Sequence, residues 1–322
     1  MDKKPSKVVV VGDINIDIIT PPFKMLEVET SCVLDDFTTS LGGNAINVAA
    51  ELSQLQLSCI FLGGIGEDAI SNWIKAQCSE LGVQYDLASY PGKSAGITFA
   101  ITHLNGERQF IATLGTNKHV KMDDLNLDHL KDATHLHRAG FWYTPGLKGE
   151  PTVKLFEKAR ENNITTSLDV GWDPQNFPAE NLELLKETIK YTSIFFANEK
   201  EIEAITKEST LEESYQVLAE WSAQNFLLVV HRGSNGSAVF SEKGRVDVPA
   251  RPLEDIVNPT GSGDVYNAGF IYGYENGYSF EDAAKIGGEA AAIHLEDLNK
   301  IYPTKKQVFK PEFLDKLGGL KE

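Results

Sequence analysis

A chain of 322 residues is long for one domain and short for three, and it can bury a large core beside a smaller accessory unit. Its formal net charge of −16 repels nucleic-acid phosphates and anionic membranes, so neither is an expected partner, although a local pocket for a small anion is still allowed. The three cysteines, Cys32, Cys59 and Cys78, show no CxxC or mixed Cys/His spacing, which points to free thiols in a reducing, cytoplasmic setting. Lys3, Lys4 and Lys7 precede a short apolar run that Gly12-Asp13 interrupts, so no signal peptide is read there. No window approaches the roughly 20 apolar residues of a membrane span.

The predicted elements alternate. Residues 8–11 read as a buried strand, and 44–55 as a helix with Ile46, Ala49, Ala50 and Leu52 on its apolar side. A strand at 59–62 and a helix at 69–81 follow. Next come a strand at 135–137, a helix at 152–162, a strand at 166–169, a helix at 182–190 and a strand at 193–197. Helical segments between 199 and 221 precede a strand at 226–230, and helices at 264–275 and 280–295 close the pattern. Strands alternating with helices of this length indicate βαβ units, hence a three-layer α/β/α fold on a mainly parallel sheet. Two stretches, 28–40 and 94–113, read instead as pure β, the second with an Asn105-Gly106 hairpin turn. They are expected to project from the main sheet as a small β lid, built from inserted segments at about 20–41 and 94–115 of a single 1–322 domain. Residues 300–322 are polar and charged, with at most a short helix.

Chemistry concentrates in a few places. NPTGSGD, residues 258–264, stands before a helix, so its loop delivers backbone N–H groups at a positive dipole end. Asp264 would repel an anion there unless its task is to accept a proton from an attacking group. A plain glycine-rich turn with a favourable first-turn Asp explains the same residues. In VVVVGDINIDII, Asp13, Asn15 and Asp17 alternate with isoleucines, which puts three polar groups on one strand face, as a polyhydroxylated ligand requires. A strand end fraying into solvent is the plainer alternative. Gly42-Gly43-Asn44 leads into a helix carrying Asn47. Asn198 and Glu201, three apart at a helix start, could share a hydrated Mg²⁺ and phosphate oxygens, or simply form a capping box. Gly64-Ile65-Gly66 meets a loose dinucleotide fingerprint, but Glu67 and Asp68 would stand where a pyrophosphate must approach. His135 and His137 share a strand face, but no nearby Cys or acidic partner completes a metal set, and they are read as packed or edge residues.

In their order along the chain, GDINID, GGNAINVA, GGIGED, the GER-containing β segment, ANEKE, VVHRGSNGS and NPTGSGD resemble the ribokinase-like carbohydrate kinases of the PfkB family over nearly the whole sequence. The resemblance implies a kinase moving the γ-phosphoryl of ATP to a hydroxymethyl group of a small sugar, with Mg²⁺. It implies Asp264 as general base and the amides of Gly261, Ser262 and Gly263 as anion hole. Asp13, Asn15, Asp17, Gly43 and Asn47 would then contact substrate hydroxyls, Asn198 and Glu201 would organise Mg²⁺ and phosphate, and His231, Gly233 and Gly236 would lie in the nucleotide loop. The family's lid closes over the substrate and often pairs subunits into a homodimer. Asn258 replaces the Asp that helps hold a monovalent cation in ribokinase-type members, so weak or absent K⁺ dependence is expected. Asp169-Val170-Gly171-Trp172-Asp173 lacks the Asn and Arg of fructokinase-like members, and Asn44 stands where ribokinases carry Lys. A nucleoside kinase of the same fold, with Phe99, Phe110, Phe141 and Trp142 available for a base slot, is the first alternative. A non-catalytic sugar-binding regulator is the second.

Overall fold

The computed structural model describes residues 5–24, 27, 30–104, 108–222, 225–257, 259–296 and 302–318. Strand β1 (Lys7–Val11) opens the chain and is followed by β2 (Asn15–Ile19), β3 (Thr38–Gly42) and helix α1 (Asn44–Gln54). Then come β4 (Ser58–Ile65), α2 (Ala69–Glu80), β5 (Tyr85–Ser89), β6 (Gly96–Thr102) and β7 (Arg108–Thr113). The regular alternation runs through β8 (His135–Arg138), α3 (Glu150–Glu161), β9 (Thr165–Asp169), α4 (Ala179–Ile189) and β10 (Ile194–Asn198). It continues with α5 (Glu199–Thr206), α6 (Leu211–Trp221), β11 (Leu227–His231), β12 (Ser237–Ser241) and β13 (Gly244–Val248). Helices α7 (Ser262–Glu275) and α8 (Phe280–Glu296) pack together, and two helical turns, Lys305–Val308 and Pro311–Leu314, finish the described chain.

Among the described residues the main sheet has nine strands in the order β13-β12-β11-β10-β9-β8-β1-β4-β5. Every pairing from β11 to β5 is parallel, and only the β12 and β13 edge is antiparallel. The sequence of β1, KVVVV, shows why it lies at the centre: a β-branched run with no polar alternation suits a strand covered on both faces. Val8 and Val10 face a core shared with α1, α7 and α8, whereas Val9 and Val11 face one shared with α3, α4, α5 and α6. Each fully buried side chain of this kind contributes roughly 1.5–3 kcal/mol relative to exposure. The three-layer expectation therefore holds.

The second sheet has the order β3-β2-β6-β7. Segment 94–113 supplies β6 and β7 as expected, while Asn105-Gly106 lies outside the described residues. Two expectations fail. Residues 30–37 form no strand: Val33 is 93% exposed, and β propensity without a neighbouring strand to pair with does not make one. Only Thr38–Gly42 enters the sheet. Asp13, Asn15 and Asp17 also do not share one strand, because the chain leaves the main sheet after Val11 and joins the small sheet at Asn15, where β2 pairs with β3 and β6, so that Asp13 precedes β2. Strands β5, β12 and β13 were not read from sequence. The C-terminal turns are less solvated than their composition suggests, with Val308 and Phe313 buried against the α1, α7 and α8 core.

Candidate active site

Strand β1 lies between β4 and β8, and the connections leaving β1 and β8 run in opposite directions across the sheet. In open α/β sheets the crevice at the strand carboxyl ends at such a reversal is where ligands bind. A cavity of about 160 Å³ opens there, and Asp13, Asn15, Asp17, Gly43, Asn47, Gly261 and Asp264 all line it. Seven residues singled out in three separate stretches thus converge on one space.

One wall is built around Asp13. Gly43 takes φ +108° and stands where a Cβ would fall 2.8 Å from the Asp13 carbonyl oxygen, so α1 can begin directly beneath Asp13. The first turn of α1 then donates to it, from Ala45 N–H to Oδ1 at 3.0 Å and from Ile46 N–H to the carbonyl at 3.3 Å. Burial raises the Asp13 carboxyl above its usual range, opposed by the Ala45 N–H and by the Arg138 guanidinium. Asn15 Nδ2 donates to Asp17 Oδ1 at 2.7 Å and to Thr98 Oγ1 at 3.1 Å, which ties β2 to β6. Burial, and then the Asp13 charge, push Asp17 up to about 7. Asn117 fixes the link between the two sheets: its Oδ1 accepts from Ile14 N–H at 3.0 Å and its Nδ2 donates to the Ile14 carbonyl at 2.9 Å.

The opposite wall is the start of α7. Gly261, at φ +82°, sits in the left-handed region at the N-cap, and α7 has no side-chain cap. Its first-turn N–H groups, those of Ser262 and Gly263 included, have no intrahelical partner and are directed outward at the positive end of the dipole. Ser262 Oγ is occupied, donating to the Pro259 carbonyl at 3.0 Å. Asp264, 4% exposed, is held by two amides from α1: Asn44 Nδ2 donates to Oδ1 at 3.1 Å and Asn47 Nδ2 to Oδ2 at 2.9 Å. Burial, followed by the negative charge of Asp169, lifts Asp264 well above the ordinary carboxylate range, and the two amides only partly offset this. A buried carboxylate with a raised proton affinity, held by neutral donors, is suited to taking up a proton.

The remaining predicted residues form a second cluster along the ends of β9, β10 and β11, outside this cavity. Asn198 and Glu201 make a reciprocal capping box at the start of α5, with both bonds 2.9 Å. The structural reading of that pair is therefore realised. Burial and the neighbouring Asp169 charge nonetheless raise Glu201, and burial raises Asp169 as well. Two buried acids, one raised by the charge of the other, suit a divalent cation that keeps its waters and also binds phosphate. No group of three or more His, Cys, Asp or Glu among the described residues could hold a metal without such help. Asn267, one turn after Asp264, donates to Asp169 Oδ2 at 2.6 Å, so its Oδ1 must accept from His231 Nε2 at 2.9 Å. Burial lowers His231 to about 4, which leaves it neutral. His231 joins the two clusters, its ring lying 3.5 Å from where a Cβ on Gly263 would fall. Gly233 and Gly236 form the turn between β11 and β12.

Sequence reading missed Asn117, Asn267, Thr98, Tyr143 and Tyr302. Asn267 had a signal, since i+3 from Asp264 shares its helical face. The reading of His135 and His137 as packed residues holds, since both are fully buried; α7 also brings Glu275 Oε1 to 3.1 Å of His135 Nδ1, a contact 140 residues away in sequence. At the dinucleotide-like stretch, Asp68 Oδ1 accepts from Ser71 N–H at 2.9 Å and so occupies the start of α2 itself.

The family model described as "pfkB family carbohydrate kinase" matches residues 5–307. A nucleoside kinase from Methanocaldococcus jannaschii is 25% identical over 301 residues, covering 92% of each chain. A cytidine kinase from Thermococcus kodakarensis is 27% identical over 286 residues, covering 88% of this chain and 94% of its own. The structure of Arabidopsis thaliana ribokinase complexed with ribose and ATP superposes with a TM-score of 0.78 at 22% identity, covering 97% of this chain and 99% of its own. With this fold and a match across almost the whole sequence, the chain is a kinase that belongs to the PfkB family of carbohydrate kinases.

Proposed function

We propose that the protein transfers the γ-phosphoryl of ATP to a hydroxymethyl group of a small sugar, with Asp264 as general base and the amides of Gly261, Ser262 and Gly263 as anion hole. The observation that carries this is the placement of Asp264. It is a buried carboxylate of raised proton affinity, held by Asn44 and Asn47 at the uncapped start of α7 and facing a cavity lined by Asp13, Asn15 and Asp17. Asp13 and Asp17 accept from acceptor hydroxyls, and Asn15 orders Asp17 for that task. Asp264 takes the proton of the attacking hydroxyl, while the α7 amides meet the charge of the transferring group. Mg²⁺, held near Glu201 and Asp169 with Asn198, would supply neutralisation of phosphate charge when bound. His231 and the Gly233–Gly236 turn belong to the nucleotide side. Dependence on K⁺ is weak or absent, because Asn258, which lies outside the described residues, offers only a neutral oxygen.

A nucleoside acceptor is the second reading. Phe110 and Tyr143 line the same cavity, with Phe110 54% exposed at its mouth, where a base could stack. Two relatives are named for nucleoside and cytidine phosphorylation. The test is ADP release on mixing with ATP, Mg²⁺ and a panel of sugars and nucleosides, with Asp264→Asn alongside. Release with a sugar supports the first reading and with a nucleoside the second. Silence across the panel leaves a binding protein. The small sheet is proposed to act as lid and as homodimer face, since Phe99 and Ile111 pair on its outer surface at 40% and 60% exposure. A dimer by light scattering that Ile111→Lys dissociates is the expected result.

A further inference from the structure

We infer that Tyr302 is a positioning residue for Asp264, acting through the side-chain amide of Asn47. This rests on the reading of Asp264 as base, and it adds a component from a part of the chain with no motif. The Tyr302 hydroxyl lies 2.7 Å from Asn47 Oδ1 and 3.2 Å from the Leu41 carbonyl. Both are acceptors, so the phenol is the donor, and the shorter bond goes to Asn47. On the other side of the same amide, Nδ2 donates to Asp264 Oδ2 at 2.9 Å. The relay therefore has a direction: phenol to amide oxygen, amide nitrogen to carboxylate. An overturned amide would set its oxygen against Asp264 and its NH₂ against the Tyr302 hydroxyl. The Asp264 carboxylate excludes that orientation, and the Tyr302 bond to Oδ1 holds the amide where its Nδ2 meets Asp264.

Its position supports this use. Tyr302 precedes the C-terminal helical turns, whose Val308 and Phe313 anchor the segment in the core. It also lines a recess of about 10 Å³ beside the main cavity, shared with Asp17, Asn47, Gly261 and His294. The ionisable groups acting on this relay are Asp169 and Asp13 at Asp264, and Asp17, Asp264, Cys78 and Glu51 at Tyr302. All but Tyr302 itself are acids or thiols, and burial with these negative neighbours holds the Tyr302 phenol well above its ordinary value, so it stays protonated and able to donate. Asn44 and Asn47 are the two side chains that lower Asp264, and Tyr302 governs one of them.

Tyr302→Phe removes one hydroxyl and keeps the ring. The expected result, measured with ATP and the acceptor found by the panel, is a fall in kcat of about three- to tenfold near neutral pH, with acceptor KM within about twofold. The acid limb of the kcat profile moves to higher pH, and kcat recovers on the alkaline plateau. In an Asn47→Leu background, Tyr302→Phe has no further effect, since the link is already cut. A limb that stays in place, a KM effect alone, or full additivity with Asn47→Leu overturns the inference. If the wild type releases no ADP with any acceptor, the kinase-base reading fails separately. The relay is then judged by ¹³C titration of the Asp264 carboxyl, which must move up in Tyr302→Phe.

Discussion

Asp264 and Glu275 stand in the first and last turns of α7, and at 4% and 7% exposure they are almost equally withdrawn from water. Their proton affinities nevertheless move in opposite directions. Asp264 is lifted well above the usual range by burial and by Asp169, against two neutral amides. Burial pushes Glu275 upward too, but His135, at 3.1 Å, and the Thr134 hydroxyl, at 2.6 Å, bring it below the ordinary Glu value. The helix dipole cannot explain the contrast, since it favours an anion at the Asp264 end and disfavours one at the Glu275 end. The partners decide. Amides can orient a carboxylate and leave it able to take a proton, whereas an imidazole and a hydroxyl fix the anion in place. Under the proposed role of Asp264, one end of the helix serves chemistry, while the Glu275 end holds α7 on β8.

The contrast can be tested from either end. Asp264→Asn should cut turnover by about 10²–10⁴-fold with acceptor KM near wild type. Turnover within a few fold of wild type would remove Asp264 from its proposed role. With Asp264 intact, the acid limb of kcat/KM should lie above the ordinary Asp range, because the base must be deprotonated to act.

Glu275→Leu strands His135 and Thr134 and should lower stability by about 3–5 kcal/mol in denaturant unfolding. Since the native value of Glu275 is depressed, its contribution is present above the unfolded carboxylate range and is lost as pH falls through the native value. The stability gap to wild type should therefore narrow on acidification. Asp264→Asn has the opposite sign: a raised native value means stability is lost as pH rises, so the variant gains on wild type toward alkaline pH.

Glu51, on the same face of α1 as Asn44 and Asn47, is a third case. It is fully buried with no hydrogen-bond partner for either oxygen among the described residues, and burial alone lifts it. Glu51→Leu should add about 1–3 kcal/mol, more at pH 8 than at pH 5. No gain would mean that Glu51 has a use that its surroundings do not reveal.

How much of this was legible in sequence follows from the range of each interaction. The alternation of β-branched runs and amphipathic helices gave the three layers, because core burial is written in local periodicity. The cavity residues were found as ordered short stretches, each carrying its own polar pattern. The split of Val8–Ile18 between two sheets was not legible, since β2 is defined by its pairing with β3 and β6 rather than by its composition. Residues 30–37 were over-read for the same reason. Partners supplied from far along the chain were also invisible: Tyr302 reaches Asn47 across 255 residues, and Glu275 reaches His135 across 140. No spacing rule connects such positions until the fold has brought them together.

The passage from β1 to β2 has a thermodynamic consequence. Asp13 stays with the main sheet through α1, whereas Asn15 and Asp17 belong to the small sheet. A ligand gripped by Asp13 and Asp17 together spans both bodies, so its affinity and the relative placement of the sheets form one linked equilibrium. Any change that biases the sheets apart, even on the outer face of the small one, must weaken the ligand by the same factor by which the ligand resists that separation.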